Sequence, residues 1–320
     1  MTAELTWGMP VILYLFLAGV GAGALTASAS VLLRGGGGGF GGSHVEIARY
    51  GAFLAPLPVM VGCLALIFEL GSFEVGNWFR WINLYMTINL SPMSIGTWLL
   101  SFFIMVSMAY AYTFVPNAPF LGEWQRPLRV MLAWVSVPLG IATAIYTGIL
   151  LGAMPARPFW NSPILALLFM LSSISTGVAV ILLFRALLHR TSTPEAEQAA
   201  KESDYLLTAT DVMLIGFELM VIFLFLMYAQ LTIGNVKEAM SVILPGGDLA
   251  PLFWLGVVLI GLLIPALIEL YYVIPELLYH RGFASPRYVD IVVSVAVLIG
   301  GFLLRYVVVI AGQVTGPVGI

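Results

Sequence analysis

Tyr205-Leu-Leu-Thr-Ala-Thr-Asp-Val-Met-Leu-Ile-Gly-Phe-Glu-Leu-Met-Val-Ile-Phe-Leu-Phe-Leu-Met-Tyr-Ala-Gln230 is a run of 26 residues in which Asp211 and Glu218 are the only charges. At about 1.5 Å per helical residue it is long enough to cross a hydrocarbon core of about 30 Å. It lacks the alternation of a barrel strand, and a segment in lipid must satisfy its own backbone polar groups, so it reads as a membrane-spanning helix. Seven similar runs lie near 9 to 33, 48 to 70, 93 to 115, 128 to 152, 163 to 188, 250 to 275 and 289 to 312. The expected fold is an all-α integral membrane protein of eight transmembrane helices, one polytopic domain over residues 1 to 320.

Composition agrees. The chain is 61% hydrophobic and 9% charged, with a mean hydropathy of +1.02, far outside the range of water-soluble domains. The first run has no basic residue before it and is too long for a signal-peptide core, so it is expected to stay as the first helix. Nine Lys and Arg residues fall in one set of connections (Arg34, Arg49, Arg126, Arg129, Arg185, Arg190, Lys201, Arg281, Arg287) and three in the other (Arg80, Arg157, Lys237). The positive-inside rule makes the first set cytoplasmic and sends both termini outward.

The connections differ in character. Gly35 to Gly42, interrupted by Phe40, reads as a flexible linker with no phosphate-loop signature. Thr191 to Asp204 reads as a solvated connector with room for a short helical turn. The outward connection from Gly71 to Pro92 holds Trp78, Phe79, Trp81, Ile82, Leu84 and Tyr85. It is too apolar to float in water and suits an interfacial anchor or a platform for an outward-facing subunit. Leu90-Ser91-Pro92 and Asn161-Ser162-Pro163 carry Ser before Pro, as expected where a helix opens.

Several chemistries lack their residues. One cysteine, Cys63, excludes disulfides and cysteine-ligated iron-sulfur clusters built by this chain alone. His44, His189 and His280 all fall in or beside cytoplasmic loops, whereas a haem b site needs histidines inside the bundle, so no haem is expected. No zinc spacing, nucleophile elbow or Walker motif is present, and no metal is expected.

Two groups of polar residues remain. Asp211, Glu218, Glu269, Asp290 and Arg305 lie within spans, where ionisable groups are costly and mark candidate sites. From the cytoplasmic end, Asp290, Glu269, Asp211 and Glu218 fall at increasing depth, with Arg305 beside or beyond Glu218. The ladder reads either as a proton relay or as structural pairing in which Glu218 and Arg305 neutralise each other. Pro265 and Pro275 are expected to bend the seventh span near Glu269. Glu276, at a span end, reads as an interfacial charge. Near the outer face, Tyr14 and Tyr146, with Arg157 in the next connection, have the donors to hold the carbonyls of a lipid-soluble quinone. Glu69, at similar depth, is a candidate proton acceptor.

Tyr146-Thr-Gly-Ile-Leu-Leu-Gly-Ala-Met-Pro-Ala-Arg-Pro-Phe-Trp-Asn161 resembles the segment between spans four and five of the polysulfide reductase membrane-subunit (NrfD) family. Gly19-Val-Gly-Ala-Gly23 and Ser91-Pro-Met-Ser-Ile-Gly-Thr-Trp98 support the resemblance, as does the eight-helix plan. The family implies a haem-free, quinone-reactive anchor in a prokaryotic cytoplasmic membrane. It implies electron exchange between menaquinone or ubiquinone and an iron-sulfur subunit on the extracytoplasmic side, usually with a molybdopterin catalytic subunit beyond it. By this resemblance Tyr146 lies at the quinone. In the polysulfide reductase type the first helix supplies a histidine and an asparagine there, and an ungapped alignment on Gly19 puts Tyr14 and Val11 at those positions. A proton-coupled secondary transporter and a purely structural anchor are the alternative readings.

Overall fold

A run that must close its backbone hydrogen bonds within itself folds as a helix, and the computed structural model has eight helices long and apolar enough to cross a membrane. The structure describes residues 7–36, 44–71, 80–86, 91–116, 121–188, 194–232, 234–280 and 282–316, and among them there is no strand. Most of the glycine-rich linker, Trp78, Phe79 and His189 lie outside the described residues, as do the side chains of Glu69 and Trp81.

The crossings begin with α1 (Met9–Gly36). The second is α2 (Val45–Leu54) continued by α3 (Pro56–Gly71), with a break at Ala55 before the proline. A short helix, α4 (Arg80–Met86), lies in the aromatic connection. The third and fourth crossings are α5 (Pro92–Tyr112) and α6 (Gln125–Gly152), and the fifth is α7 (Pro163–Leu188). Both Ser-Pro entries form caps: Ser91 Oγ accepts from the Ser94 N–H at 3.3 Å, and Ser162 Oγ accepts from the Ile164 N–H at 3.3 Å.

The sixth crossing departs from expectation. Helix α8 runs from Pro194 to Leu231, so most of the segment that reads as a solvated connector is helical. Pro194 starts the helix where its missing N–H costs nothing, and Glu, Gln, Ala and Lys are strong helix formers. Glu197 and Lys201 add an i,i+4 pair at 2.8 Å. After the short α9 (Asn235–Met240), the seventh crossing opens as a π-helical stretch, Leu252–Leu263, and continues as α10 (Ile264–Tyr279). The change from i→i+5 to i→i+4 bonding falls beside Pro265, a proline inside a helix being a usual place for such a break. The last crossing is α11 (Arg287–Val314).

Helices α1 and α7 form the centre. α1 packs against α2, α3, α6 and α7, while α7 also packs against α8 and α11, and α11 lies along the π-helical stretch. Between helices in lipid the attraction is close packing rather than water exclusion, so small residues set the contact. A Cβ on Gly23 would come 1.8 Å from the Ser173 carbonyl oxygen, and one on Gly177 would come 2.2 Å from the Gly23 carbonyl carbon. The outside of the bundle carries exposed Met105, Trp134, Phe223 and Leu267, as a lipid-facing surface requires. Gln313 Nε2 donates to the Trp7 carbonyl at 3.0 Å and its Oε1 accepts the Trp7 N–H at 2.9 Å, which brings the ends of the described chain to one end of the bundle.

Candidate functional site

At that end, α1, α3, α4, α5 and α6 enclose a cavity of about 180 Å³. Its polar groups are the phenols of Tyr14 and Tyr146 and the hydroxyl of Thr97, and its walls include Trp7, Val11 and Met93. The two phenols lie near each other in the wall of the same cavity. Tyr14 is 1% exposed and Tyr146 7%, so both rings are held inside the bundle. Tyr146 holds its place because the facing position on α5 is Gly96, where a Cβ would fall 1.7 Å from the Tyr146 hydroxyl. The motif that opens α5 and the one that closes α6 therefore meet at one ring.

A second cavity of about 320 Å³ adjoins the first, sharing Leu66, Leu84, Thr97 and Leu100. Cys63 and Tyr85 are among its other walls, and Leu64, half-exposed, opens it toward the outside of the bundle. A small polar-tipped chamber thus continues into a longer apolar slot.

Arg157 is elsewhere. Its Nη1 donates to the Gln313 carbonyl at 2.8 Å and to the Gly312 carbonyl at 3.4 Å, and its guanidinium lies 5.9 Å from the Trp160 ring. It satisfies carbonyls at the end of α11, where a helix has no partners of its own for them and where positive charge is favoured. Trp160 donates from Nε1 to the Val308 carbonyl at 2.7 Å and stacks on Trp7 with ring centroids 5.2 Å apart. Arg157 and Trp160 therefore reach the cavity only through Trp7, one of its walls. Glu69 cannot be placed, its side chain being outside the described ones.

The acidic residues form a connected series across α8, α10 and α11. Glu269 is within electrostatic reach of both Asp290 and Asp211, Asp211 of Glu218, and Glu218 of Arg305. Asp290 accepts from Ser285 Oγ at 3.0 Å, and Asp211 accepts from Ser175 Oγ at 2.7 Å. Among the described residues neither oxygen of Glu269 has a hydrogen-bond partner, nor does the second oxygen of Asp211.

Arg305 and Glu218 make no direct ion pair within 4.0 Å among the described residues. Arg305 Nη1 donates to Ser172 Oγ at 2.8 Å and to the Gly301 carbonyl at 2.8 Å, and Nη2 donates to Ser173 Oγ at 3.0 Å. Ser172 is also the hydroxyl next to the Glu218 carboxyl, so a serine stands between base and acid. The guanidinium lies 5.2 Å from the Phe169 ring. Gly19 makes room for it: a Cβ there would be 2.9 Å from Arg305 Nη2.

Sequence reading misses Trp7 as a wall of the cavity and does not single out Thr97 or the serines of α7. Trp7 sits before the first span, where tryptophan is ordinary. Ser172, Ser173 and Ser175 form a cluster in an apolar run, a signal that could have been read as the partner of the buried charges.

Comparison with known proteins places the chain in a family. A family model described as polysulphide reductase, NrfD, matches residues 1–317. One component of the polysulfide reductase of Wolinella succinogenes is 31% identical over 96% of this chain and 94% of its own length. Protein NrfD of Escherichia coli K12 is 28% identical over 98% and 96% of the two chains. One component of the selenate reductase of Mesobacillus selenatarsenatis is 22% identical over 84% of this chain and 67% of its own length. With the family model covering nearly the whole length and eight crossings in place, the chain belongs to the NrfD polysulphide reductase family of multi-pass membrane proteins.

Proposed function

We propose that this chain is the membrane subunit of a respiratory reductase complex and exchanges electrons between the quinone pool and an iron-sulfur subunit. The observation that carries the reading is the paired phenols of Tyr14 and Tyr146 at the tip of a chamber that continues into an apolar slot. A quinone has that division, with carbonyls at one end and an isoprenoid tail at the other. The phenols would donate to a carbonyl oxygen, while the leucine-lined slot takes the tail. Relatives named as components of polysulfide and selenate reductases support a multisubunit setting.

With the basic end placed in the cytoplasm, both chain ends and the phenol pair face outward. The iron-sulfur subunit, and a molybdopterin subunit beyond it, would dock there, near the aromatic connection containing α4. Oxidation of a quinol, menaquinol or ubiquinol, yields two electrons for the partner's cluster and two protons, and reduction of a quinone consumes the same. Tyrosine does not titrate near neutral pH, so the phenols orient the ring and another group exchanges its protons. The acidic series from Asp290 to Glu218 lies between the basic end and the phenol pair and is the candidate route.

The test is quinone titration of the assembled complex. Tyr146→Phe and Tyr14→Phe should each raise the quinone KM about tenfold, the worth of one hydrogen bond of about 1.4 kcal/mol, with the partner still bound. Unchanged KM in both variants would remove the site. Asp211→Asn should reduce proton uptake during turnover, and unchanged coupling would return the series to a structural role. A secondary transporter would instead catalyse solute counterflow without any redox partner.

A further inference from the structure

Beneath the extended N-terminal part of α8, at the basic end of the bundle, lies an open cleft of about 680 Å³. Its charged walls are Glu197, Glu202, Glu276 and Lys201, with His44 at one side. Three carboxylates against one ammonium give it a net negative balance, which raises the local concentration of cations, protons included. A neighbouring cavity of about 210 Å³ lies closer to Asp290, but its walls hold Arg185, Lys201 and Arg287 against Glu197, Asp204 and Asp290. There Asp204 is held by Arg185 at 2.9 Å, and Asp290 is occupied by Ser285.

Glu276 distinguishes the larger cleft. The residue is partly buried, and one of its carboxyl oxygens is buried with no hydrogen-bond partner among the described residues. It stands seven residues from Glu269 on α10. That spacing puts the two on one helix face, about 10 Å apart along the axis. Glu269 is 3% exposed and neither of its oxygens has a partner among the described residues. A carboxyl so placed needs a proton or water to satisfy it, and the helix face leading to it starts at the cleft.

We propose that this acidic cleft is the proton-entry port of the subunit, with Glu276 passing protons to Glu269. The inference rests on the reading of the acidic series as a proton route and names where that route begins. The step moves only a proton: the Glu276 carboxylate takes it from water in the cleft, and its acid form gives it through water to the Glu269 carboxylate. Asp290 then serves the series as a neighbouring charge rather than as its mouth.

The experiment measures proton uptake from the cleft side while the complex in vesicles reduces quinone with electrons from its reduced partner, with assembly checked by co-purification of the partner. Glu276→Ala should slow uptake by about a hundredfold, the lower end of what a positioned proton-transfer group contributes, and formate added on the cleft side should restore it. If Glu276→Ala disturbs assembly, the isosteric Glu276→Gln carries the same expectation, without formate rescue. Wild-type uptake in an assembled Glu276 variant, with Asp211→Asn still defective, would overturn the port and leave the route standing. Loss in Glu276→Ala that neither formate nor Glu276→Asp restores would make the residue structural and overturn it too. Wild-type uptake in Asp211→Asn as well would sink the route and the port together.

Discussion

Replacing Gly96 by alanine should damage the Tyr146 chamber more than any change of similar size elsewhere on α5. The added Cβ would stand 1.7 Å from the Tyr146 hydroxyl oxygen, 2.0 Å from Cζ and 2.7 Å from Cε1. Ordinary carbon contacts lie near 3.5 Å, so the ring must retreat by about 2 Å or the two helices must part. Either movement pushes the Tyr146 phenol across a chamber of only about 180 Å³. Overpacking of this kind costs about 1 to 3 kcal/mol. About 2 kcal/mol felt at the ligand corresponds to about a 30-fold weaker quinone affinity. The assay is equilibrium titration of the purified complex with a short-chain quinone, followed by quenching of tryptophan fluorescence, since Trp7 is in the wall. The double variant Gly96→Ala with Tyr146→Ala separates strain from recognition: removing the ring should restore thermal stability but not affinity. If Gly96→Ala lowers the melting temperature yet binds quinone with wild-type affinity, Tyr146 does not touch the ligand and the chamber is misassigned.

Gly23→Ala should destabilise the whole bundle by about 3 kcal/mol, because the clash at 1.8 Å is with the Ser173 carbonyl, which cannot rotate away; a wild-type thermal transition in detergent would contradict it. Arg157→Ala should lower the melting temperature by freeing the end of α11 while changing the quinone KM by less than about threefold, an indirect effect through Trp7 being well under the worth of one hydrogen bond. A KM rise as large as in Tyr146→Phe would place Arg157 on the ligand. His44, at the start of α2, is pushed below its usual value of 6.5 by burial, with Arg185 acting the same way and Glu202 opposing. A depressed histidine leaves the unfolded chain binding more protons, so its contribution to stability is complete above about pH 6.5 and fades as pH falls below it. Thermal scans from pH 7.5 to 5 should show that loss in the wild type and a smaller one in His44→Gln.

The number and identity of the crossings are legible because membrane solvent imposes a length and a composition on every spanning helix, and both are local properties of the chain. Connections are less so. Thr191 to Asp204 reads as polar and solvated, yet its residues are good helix formers continuing a helix already nucleated by the span beneath, so α8 begins at Pro194. The π-helical start of the seventh crossing has no local signature beyond Pro265, and the direction of a side chain such as Arg157 depends on which helix end it meets. The cleft beside Glu276 is nonlocal in the same way: it is assembled from α8, α10 and His44 at the start of α2.

What the motifs encode becomes clearer from their partners. Gly96 and Gly19 come from separate stretches and each could be taken as a small residue for helix contact. In the structure each lies against a polar side chain: Gly96 against the Tyr146 phenol, Gly19 against the Arg305 guanidinium and the Ser173 hydroxyl that binds it. A missing Cβ at these points lets a long polar group cross from one helix to the surface of another without opening the packing on either side. Gly23 and Gly177 differ, since backbone meets backbone there and no functional side chain intervenes. The glycines of one motif thus divide into those that seat a helix and those that seat a residue. Substitutions at the second kind should be rescued by trimming the facing side chain, whereas those at the first should not be.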